Sequence, residues 1–175
     1  MTRYAAFLRG VNLGKRTVKS AELKIALEDL GFSDVRTLIS SGNALFETRA
    51  SKTLKQKVEA GLSEYFGFPI KVVLRSIDEL KAMVGSDPFG GEVEHEGQKL
   101  HVMLFDEPLP KGTSMDGVPG DFAIPRIDDR EIFIIAFRKP NGTYLADSLL
   151  KWDKAVTKGA LVTSRNWNTI LKAIA

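Results

Sequence analysis

The segment that decides the fold is residues 20–47, SAELKIALEDLGFSDVRTLISSGNALFE. In its first half, apolar residues recur at i, i+3, i+4 and i+7, a spacing that predicts an amphipathic helix. Gly31 follows as a stop signal, and Ser20 is the candidate N-cap. In its second half, residues 35–39 and 44–47 are short β-prone runs. The residues between these runs predict a tight hairpin turn: Ser40, Ser41, Gly42 and Asn43.

Strands and a helix are predicted on either side of this segment. Residues 4–8 are apolar and too short for a helix, so they predict a buried strand. After the hairpin, Ser51 opens a second helix that stops at Gly67, and residues 70–74 form a β-branched strand. The order through Leu74 is therefore βαββαβ, the ferredoxin-like arrangement of two helices on one face of a four-stranded antiparallel sheet. Ser76 and Glu79 have the spacing of a capping box for a third helix.

The remainder of the chain predicts a second, shorter α+β subdomain. Residues 86–98 are polar and glycine-containing, which favours a linker between subdomains at residues 1–85 and 99–175. Three strands are predicted at residues 100–105, 122–126 and 131–138, and two helices at residues 144–156 and 165–174. Thr163 or Ser164 is the expected cap of the last helix. The fold class is thus α+β, with two subdomains that could also pack as one compact unit.

Composition excludes several classes of protein. The 175 residues contain no cysteine, which rules out disulfides, thiolate metal sites and cysteine nucleophiles, and favours a reducing, cytoplasmic location. No apolar run reaches the length of a signal peptide or a membrane span, so no membrane partner is expected. The formal net charge of +3 is too small to indicate a nucleic-acid partner by itself.

Neither a cofactor site nor a metal site is predicted. Gly10, Gly14, Lys15 and Thr17 suggest a phosphate-binding P-loop, but the spacing between the glycines is wrong and Arg16 separates the lysine from the hydroxyl. A cluster of acidic residues and one histidine lies on a glycine-flanked loop: Glu92, Glu94, His95 and Glu96. Because the cluster has no second imidazole, it is expected to face water and not to bind a metal. No nucleophile motif identifies an enzyme.

Basic and amide side chains instead predict an anion-binding surface. The predicted topology brings the end of the first strand and the hairpin to one edge of the sheet, and the last helix would present its positive end. The predicted ligand-binding residues are Arg9, Asn12, Asn43, Arg165 and Asn166. Arginine and turn N–H groups suit phosphate or carboxylate. The alternative is that these residues only make turns and core.

Three classes of function are left open by the residues. The best-supported is a binding module for a phosphorylated small molecule or a nucleic acid. The others are an enzyme acting on such a ligand, and a structural or interaction protein. RNA recognition would require aromatic side chains on the open sheet face, a role that Tyr4 or Phe46 could fill only by facing away from the helices. The oligomeric state is also left open.

Three ordered motifs resemble those of a bacterial family, the domain of unknown function 1697. They are FLRGVNLG at residues 7–14, SGN at residues 41–43 and TSRNWNT at residues 163–169. The resemblance spans nearly the whole chain and implies an α+β fold without an established activity. The chain departs from the family pattern at residues 108–120, a loop where the family usually has a helix, and at Ser148-Leu149, where it often has Ser-Lys.

Overall fold

The computed structural model describes residues 1–38, 42–144 and 159–175. Its contacts divide the chain into unit 1, Met1–Ala82 with Leu171–Ala175, and unit 2, Met83–Ile170. The helix predicted at residues 144–156, the pair Ser148-Leu149 and the serines of the predicted hairpin turn lie outside the described residues, apart from Tyr144. That residues 1–85 and 99–175 are separate subdomains joined by a linker stays a prediction.

Unit 1 is built on a four-stranded antiparallel sheet in the order β2-β3-β1-β4. Its elements are β1 (Thr2–Arg9), α1 (Ser20–Asp29), β2 (Ser33–Thr37), β3 (Asn43–Thr48), α2 (Leu54–Phe66) and β4 (Lys71–Ser76), followed by α3 (Ile77–Gly85). β1 lies between β3 and β4, as the sequence predicts. The C-terminal end of β1 therefore meets the N-terminal ends of both β3 and β4.

The core of unit 1 fills the space between its sheet and the helices α1 and α2. Ala6 and Leu8 of β1 and Val72 of β4 are buried in one cluster with apolar residues of the helices, listed here in chain order: Leu23, Ala26, Leu27, Leu54, Val58 and Leu62. The helical spacing seen in the sequence thus marks the side chains that face the sheet. Tyr4 and Phe46 pack in this same cluster, so neither of these two side chains is presented on an open sheet face.

Local signals at the helix ends had mixed outcomes. The capping box is present: the backbone N–H of Ser76 donates to Glu79 Oε2 at 2.7 Å, and that of Glu79 donates to Ser76 Oγ at 3.1 Å. Gly67 ends α2 with φ of 77°, a left-handed conformation that favours glycine. The predicted N-cap at Ser20 was wrong, because Ser20 is already the first residue of α1. Ser51, which was predicted to open the second helix, lies three residues before α2 begins at Leu54, and its Oγ accepts from the Thr53 N–H.

The described residues of unit 2 contain four strands, where the sequence predicts three. They are β5 (Gln98–Phe105), β6 (Phe122–Ile127), β7 (Glu131–Phe137) and β8 (Val162–Asn166), in the order β6-β7-β5-β8 and antiparallel throughout. The predicted start of the last helix was wrong, because residues 162–166 pair with β5 instead. The helix α4 (Trp167–Ile174) starts two residues later than predicted, directly after Asn166. Among the described residues, no helix is long and apolar enough to cross a membrane.

Candidate functional site

Exposed cations concentrate where β1 ends. Arg9 is the last residue of β1, and the loop that follows carries Lys15, Arg16 and Lys19, all of them exposed. We call residues 9–19 the basic loop. No acidic residue occurs between Arg9 and Lys19, so the loop is a local positive field.

The backbone of the basic loop is bonded largely to itself. The Asn12 N–H donates to the Arg16 carbonyl at 2.5 Å, and the Arg16 N–H donates back to the Leu13 carbonyl at 3.0 Å. Asn12 has φ of 58°, a region that asparagine tolerates, and its Oδ1 accepts from the Val18 N–H at 3.0 Å. These backbone donors are therefore engaged within the loop, and the anion-binding potential of this segment lies in its exposed side chains.

Asn43 lies beside the basic loop but is buried. It is the first residue of β3 and is paired with Phe7 of β1, two residues before Arg9. The Leu8 N–H donates to the Gly42 carbonyl at 2.9 Å, which extends this strand pairing. Only 1% of Asn43 is exposed. The structure thus brings the elements that carry Arg9, Asn12 and Asn43 to one end of the unit 1 sheet. Arg9 and Asn12 are exposed there.

Arg165 and Asn166 lie in unit 2, in strand β8 and not in a helix as predicted. Arg165 is half-buried; one terminal nitrogen of its guanidinium donates to Thr163 Oγ1 and to the Ser164 carbonyl. Desolvation by burial lowers the pKa of Arg165 to about 10, so the side chain stays charged at neutral pH. Asn166 Oδ1 accepts from the Asn168 N–H at 2.8 Å and caps the start of α4.

The carboxylate of Glu94, which the sequence predicts to face water, is hydrogen-bonded to the C-terminal end of β8. Glu94 Oε1 accepts from Asn166 Nδ2 at 3.0 Å and from the Leu100 N–H at 3.1 Å, while Oε2 accepts from Asn168 Nδ2 at 2.8 Å. Glu94 is half-buried, and sequence reasoning missed its role. The nearest signal is the pair of asparagines at i and i+2 in RNWN, which does not reveal a partner 72 residues away.

Neighbours of Glu94 have their own partners. Glu92 accepts from Gln98 Nε2 at 2.8 Å, and Glu96 pairs with Arg138 at 2.8 Å. His95 Nδ1 accepts from the Gly97 N–H at 3.0 Å. No group of three or more acidic or histidine side chains able to hold a metal ion occurs in residues 1–38, 42–144 and 159–175.

His101 of β5 has a shifted pKa. Burial lowers its pKa, and nearby Lys99 lowers it further, while the carboxylate of Glu94 acts in the opposite direction. His101 is paired with Asn166 across the β5–β8 ladder. Because its pKa falls below the ordinary value of 6.5, this imidazole is neutral at physiological pH.

Formal charge is divided unequally between the units. Fifteen of the 25 lysine and arginine residues but only nine of the 22 acidic residues fall in unit 1, which gives it +6. Unit 2 has the remaining ten basic and thirteen acidic residues, and its formal charge is −3. The modest net charge of the whole chain therefore conceals a strongly basic first unit.

A second basic feature of unit 1 was not predicted. The register places Arg9 of β1 directly opposite Lys71 of β4, and Lys71 Nζ lies 3.2 Å from Glu59 Oε2 on α2. Lys55, one turn before Glu59, lies 2.9 Å from its Oε1. In the sequence only the i, i+4 spacing of Lys55 and Glu59 could have pointed to this cluster, because the pairing of β1 with β4 is not local.

The family model described as a protein of unknown function (DUF1697) matches residues 1–122, which include all of the basic loop and β1 to β5. The chain belongs to the DUF1697 family. This assignment confirms the family suggested by the motifs at residues 7–14 and 41–43, whereas the motif at residues 163–169 lies outside the matched range. A search of curated proteins gives no significant match.

A solved structure shares the fold of this DUF1697 chain. It is the conserved bacterial protein SP0830 from Streptococcus pneumoniae, with 25% sequence identity and a TM-score of 0.67. The alignment covers 99% of this chain and 96% of that one. The likeness therefore supports an α+β fold along the length of the chain.

Proposed function

We propose that this protein is a binding module for an anionic, phosphate-bearing ligand. The proposed ligand-binding residues are Arg9, Asn12 and Asn43 in unit 1, and Arg165 and Asn166 in unit 2. The observation that carries the proposal is the formal charge of +6 on unit 1, together with the exposed cations of the basic loop. A local positive field raises the concentration of anions at its surface, and arginine offers a fork that matches phosphate oxygens.

The five proposed residues differ in how they would act. Arg9 is exposed, so it would contact the ligand directly. Asn12 and Asn43 would mainly shape the edge of the sheet, because Asn12 Oδ1 is bonded to the Val18 N–H and Asn43 is buried. Arg165 and Asn166 are half-buried and bonded within unit 2, and their part in ligand binding stays a prediction.

Two further parts of the proposal concern fold and location. We propose that unit 1 is ferredoxin-like, which is supported by its element order and by the sheet order β2-β3-β1-β4. We also propose a cytoplasmic location, which is supported by the lack of cysteine.

A panel of ligands tests the function. The Tm of the full chain is measured with nucleotides, sugar phosphates and short oligonucleotides, each at constant ionic strength. A ligand at 100 times its Kd adds about 2.7 kcal/mol of stability, which raises the Tm of a chain of this size by about 5–10 °C. A steep loss of the shift with added salt would identify a nucleic acid, since counterion release drives such binding. Turnover of a shifting ligand would identify an enzyme instead.

A pair of arginine variants locates the site. Arg9→Ala is compared with Arg49→Ala, an exposed arginine that follows β3 at the opposite end of the same sheet. We expect Arg9→Ala to reduce the shift and Arg49→Ala to leave it unchanged. Equal shifts in the two variants would remove Arg9 from the site, and the absence of any shift across the panel would reject the proposed function.

A further inference from the structure

The middle of the basic loop is a closed turn that carries an exposed leucine. The bonds from the Asn12 N–H to the Arg16 carbonyl and from the Arg16 N–H to the Leu13 carbonyl close residues 12–16, which we call the loop tip. Gly14 has φ of 58°, and a Cβ placed there would have no atom of the described residues within 4 Å beyond its chain neighbours. Leu13 is 66% exposed. The loop tip therefore projects into solvent.

Two valines fasten the basic loop on either side of its tip. Val18 is 1% exposed, and Val11 packs against the same core cluster of unit 1. The Val18 N–H also donates to Asn12 Oδ1 at 3.0 Å, which ties the returning chain to the start of the tip. The loop thus places two apolar residues at the core and leaves Leu13 outside it. A turn that is already held in one conformation loses little entropy when it binds a partner.

Three cations accompany Leu13 and fall within five consecutive residues: Lys15, Arg16 and Lys19. All three are exposed. In the part of the chain that the structure describes, none of their side chains has an ion pair or a hydrogen bond. They can therefore pair with an anion without breaking a contact of the folded chain.

The shape of the basic loop favours a long polyanion over a small molecule. Small-molecule sites are concave, whereas residues 12–17 are all exposed around a projecting turn. A chain of phosphates can contact several cations on such a surface at once, and a DNA duplex carries one negative charge per about 1.7 Å of its axis. Nucleic acids also offer bases beside the phosphates, and leucine is among the apolar side chains that proteins insert between bases.

We propose that the basic loop binds a nucleic acid. Its three unpaired cations contact the phosphate backbone, and Leu13 lies against the bases. This inference rests on the proposed function and names its ligand class. An anionic membrane fits the loop less well, because even a myristoyl chain gives only marginal membrane binding and one leucine buries far less apolar surface. The three cations would then have to supply the docking energy at about 1 kcal/mol each.

The competing explanation is that the loop tip is ordinary protein surface. Single exposed apolar side chains and solvated charges are common on soluble proteins and require no ligand. In that case substitutions at the tip would leave the affinity for a nucleic acid unchanged. The salt dependence of binding separates the contribution of the cations from that of the leucine.

A fluorescein-labelled single strand of about 20 nucleotides and the corresponding duplex are titrated with the full chain between about 50 and about 200 mM salt, and the Kd is read from fluorescence anisotropy. Contact with all three cations should give a slope of log K against log salt of about −2.7 for the duplex or about −2.1 for the single strand. The strand form with the smaller Kd identifies the preferred ligand.

Lys15→Ala should raise the Kd about tenfold at about 50 mM salt and make the slope for the duplex less steep by about 0.9, while Lys15→Arg keeps both. Leu13→Ala should raise the Kd several-fold without changing the slope, because an apolar contact releases no counterion. The matched controls are Lys52→Ala, after β3 at the opposite end of the sheet, and Val93→Ala, which is 67% exposed in unit 2. Both should bind as the wild type does.

The wild-type Kd and slope in both Lys15→Ala and Leu13→Ala would show that the loop tip is not the site, even in a protein that binds oligonucleotides. Sedimentation with vesicles of phosphatidylcholine and phosphatidylglycerol, without oligonucleotide binding, would assign the tip to a membrane and overturn the inference. A small phosphorylated ligand that raises the Tm, in a chain that binds neither oligonucleotide, would overturn the inference and leave the proposed function intact. Failure to bind any ligand of the panel rejects the proposed function itself.

Discussion

Replacing Glu94 by alanine should destabilise unit 2, because this carboxylate ties β8 and α4 to the start of β5. The substitution removes the acceptor for the Leu100 N–H and for the side-chain amides of Asn166 and Asn168. The bonds to Leu100 and Asn166 are part-buried, whereas the one to Asn168 is exposed. Two hydrogen bonds to a charged group, taken at the low end of about 1.5 kcal/mol each, give about 3 kcal/mol.

Urea unfolding followed by circular dichroism measures this loss. A decrease of about 3 kcal/mol corresponds to a fall in Tm of about 6–12 °C for a chain of this size. Glu94→Gln keeps the shape and one acceptor oxygen, so it should lose less than the alanine variant. Glu107→Ala removes an exposed carboxylate in the same unit and should stay within about 0.5 kcal/mol of the wild type. Equal stability of Glu94→Ala and Glu107→Ala would contradict the role assigned to Glu94.

Two other predictions concern stability. Ser76→Ala removes one half of the capping box and should lower the free energy of unfolding by about 1 kcal/mol. Equal denaturation midpoints for Ser76→Ala and the wild type would contradict this. His101 has a pKa below 6.5 in the folded chain, so the unfolded chain binds its proton first as the pH falls. The free energy of unfolding should therefore decrease as the pH falls from 6.5 through the folded-state pKa of His101. His101→Gln should flatten that part of the stability–pH curve, and an unchanged slope would show that other groups cause it.

The elements of unit 1 could be predicted because their signals are local. The apolar spacing of α1, the glycine after α2 and the capping box before α3 each lie within a few residues of the structure that they specify. Strand order followed from the right-handed crossover rule. The predicted start of α2 at Ser51 was wrong because a polar residue before a helix can also bond within a turn, as Ser51 does with Thr53.

Strand β8 was missed because its stability comes from a distant partner. The segment Val162–Asn166 contains three polar residues and an arginine, and it precedes a helix whose apolar stripe is clear. Only pairing with β5, some sixty residues earlier, makes it a strand. The hydrogen bonds that Glu94 accepts from Asn166 and Asn168, and the pairing of Arg9 with Lys71, also join residues that are distant in sequence. They could not be predicted for that reason. The candidate residues could be chosen by type, but their partners could not.

The most direct test of the central claim is the Kd of the best phosphate-bearing ligand of the panel, measured by isothermal titration calorimetry for the wild type, Arg9→Ala and Arg49→Ala. Loss of one charge-assisted hydrogen bond costs about 1.5–3 kcal/mol, so Arg9→Ala should raise the Kd at least about tenfold. Arg49→Ala should bind as the wild type does, since it removes the same charge from the other end of the sheet. Equal dissociation constants for the three proteins would contradict the claim that the basic end of this sheet is the binding site.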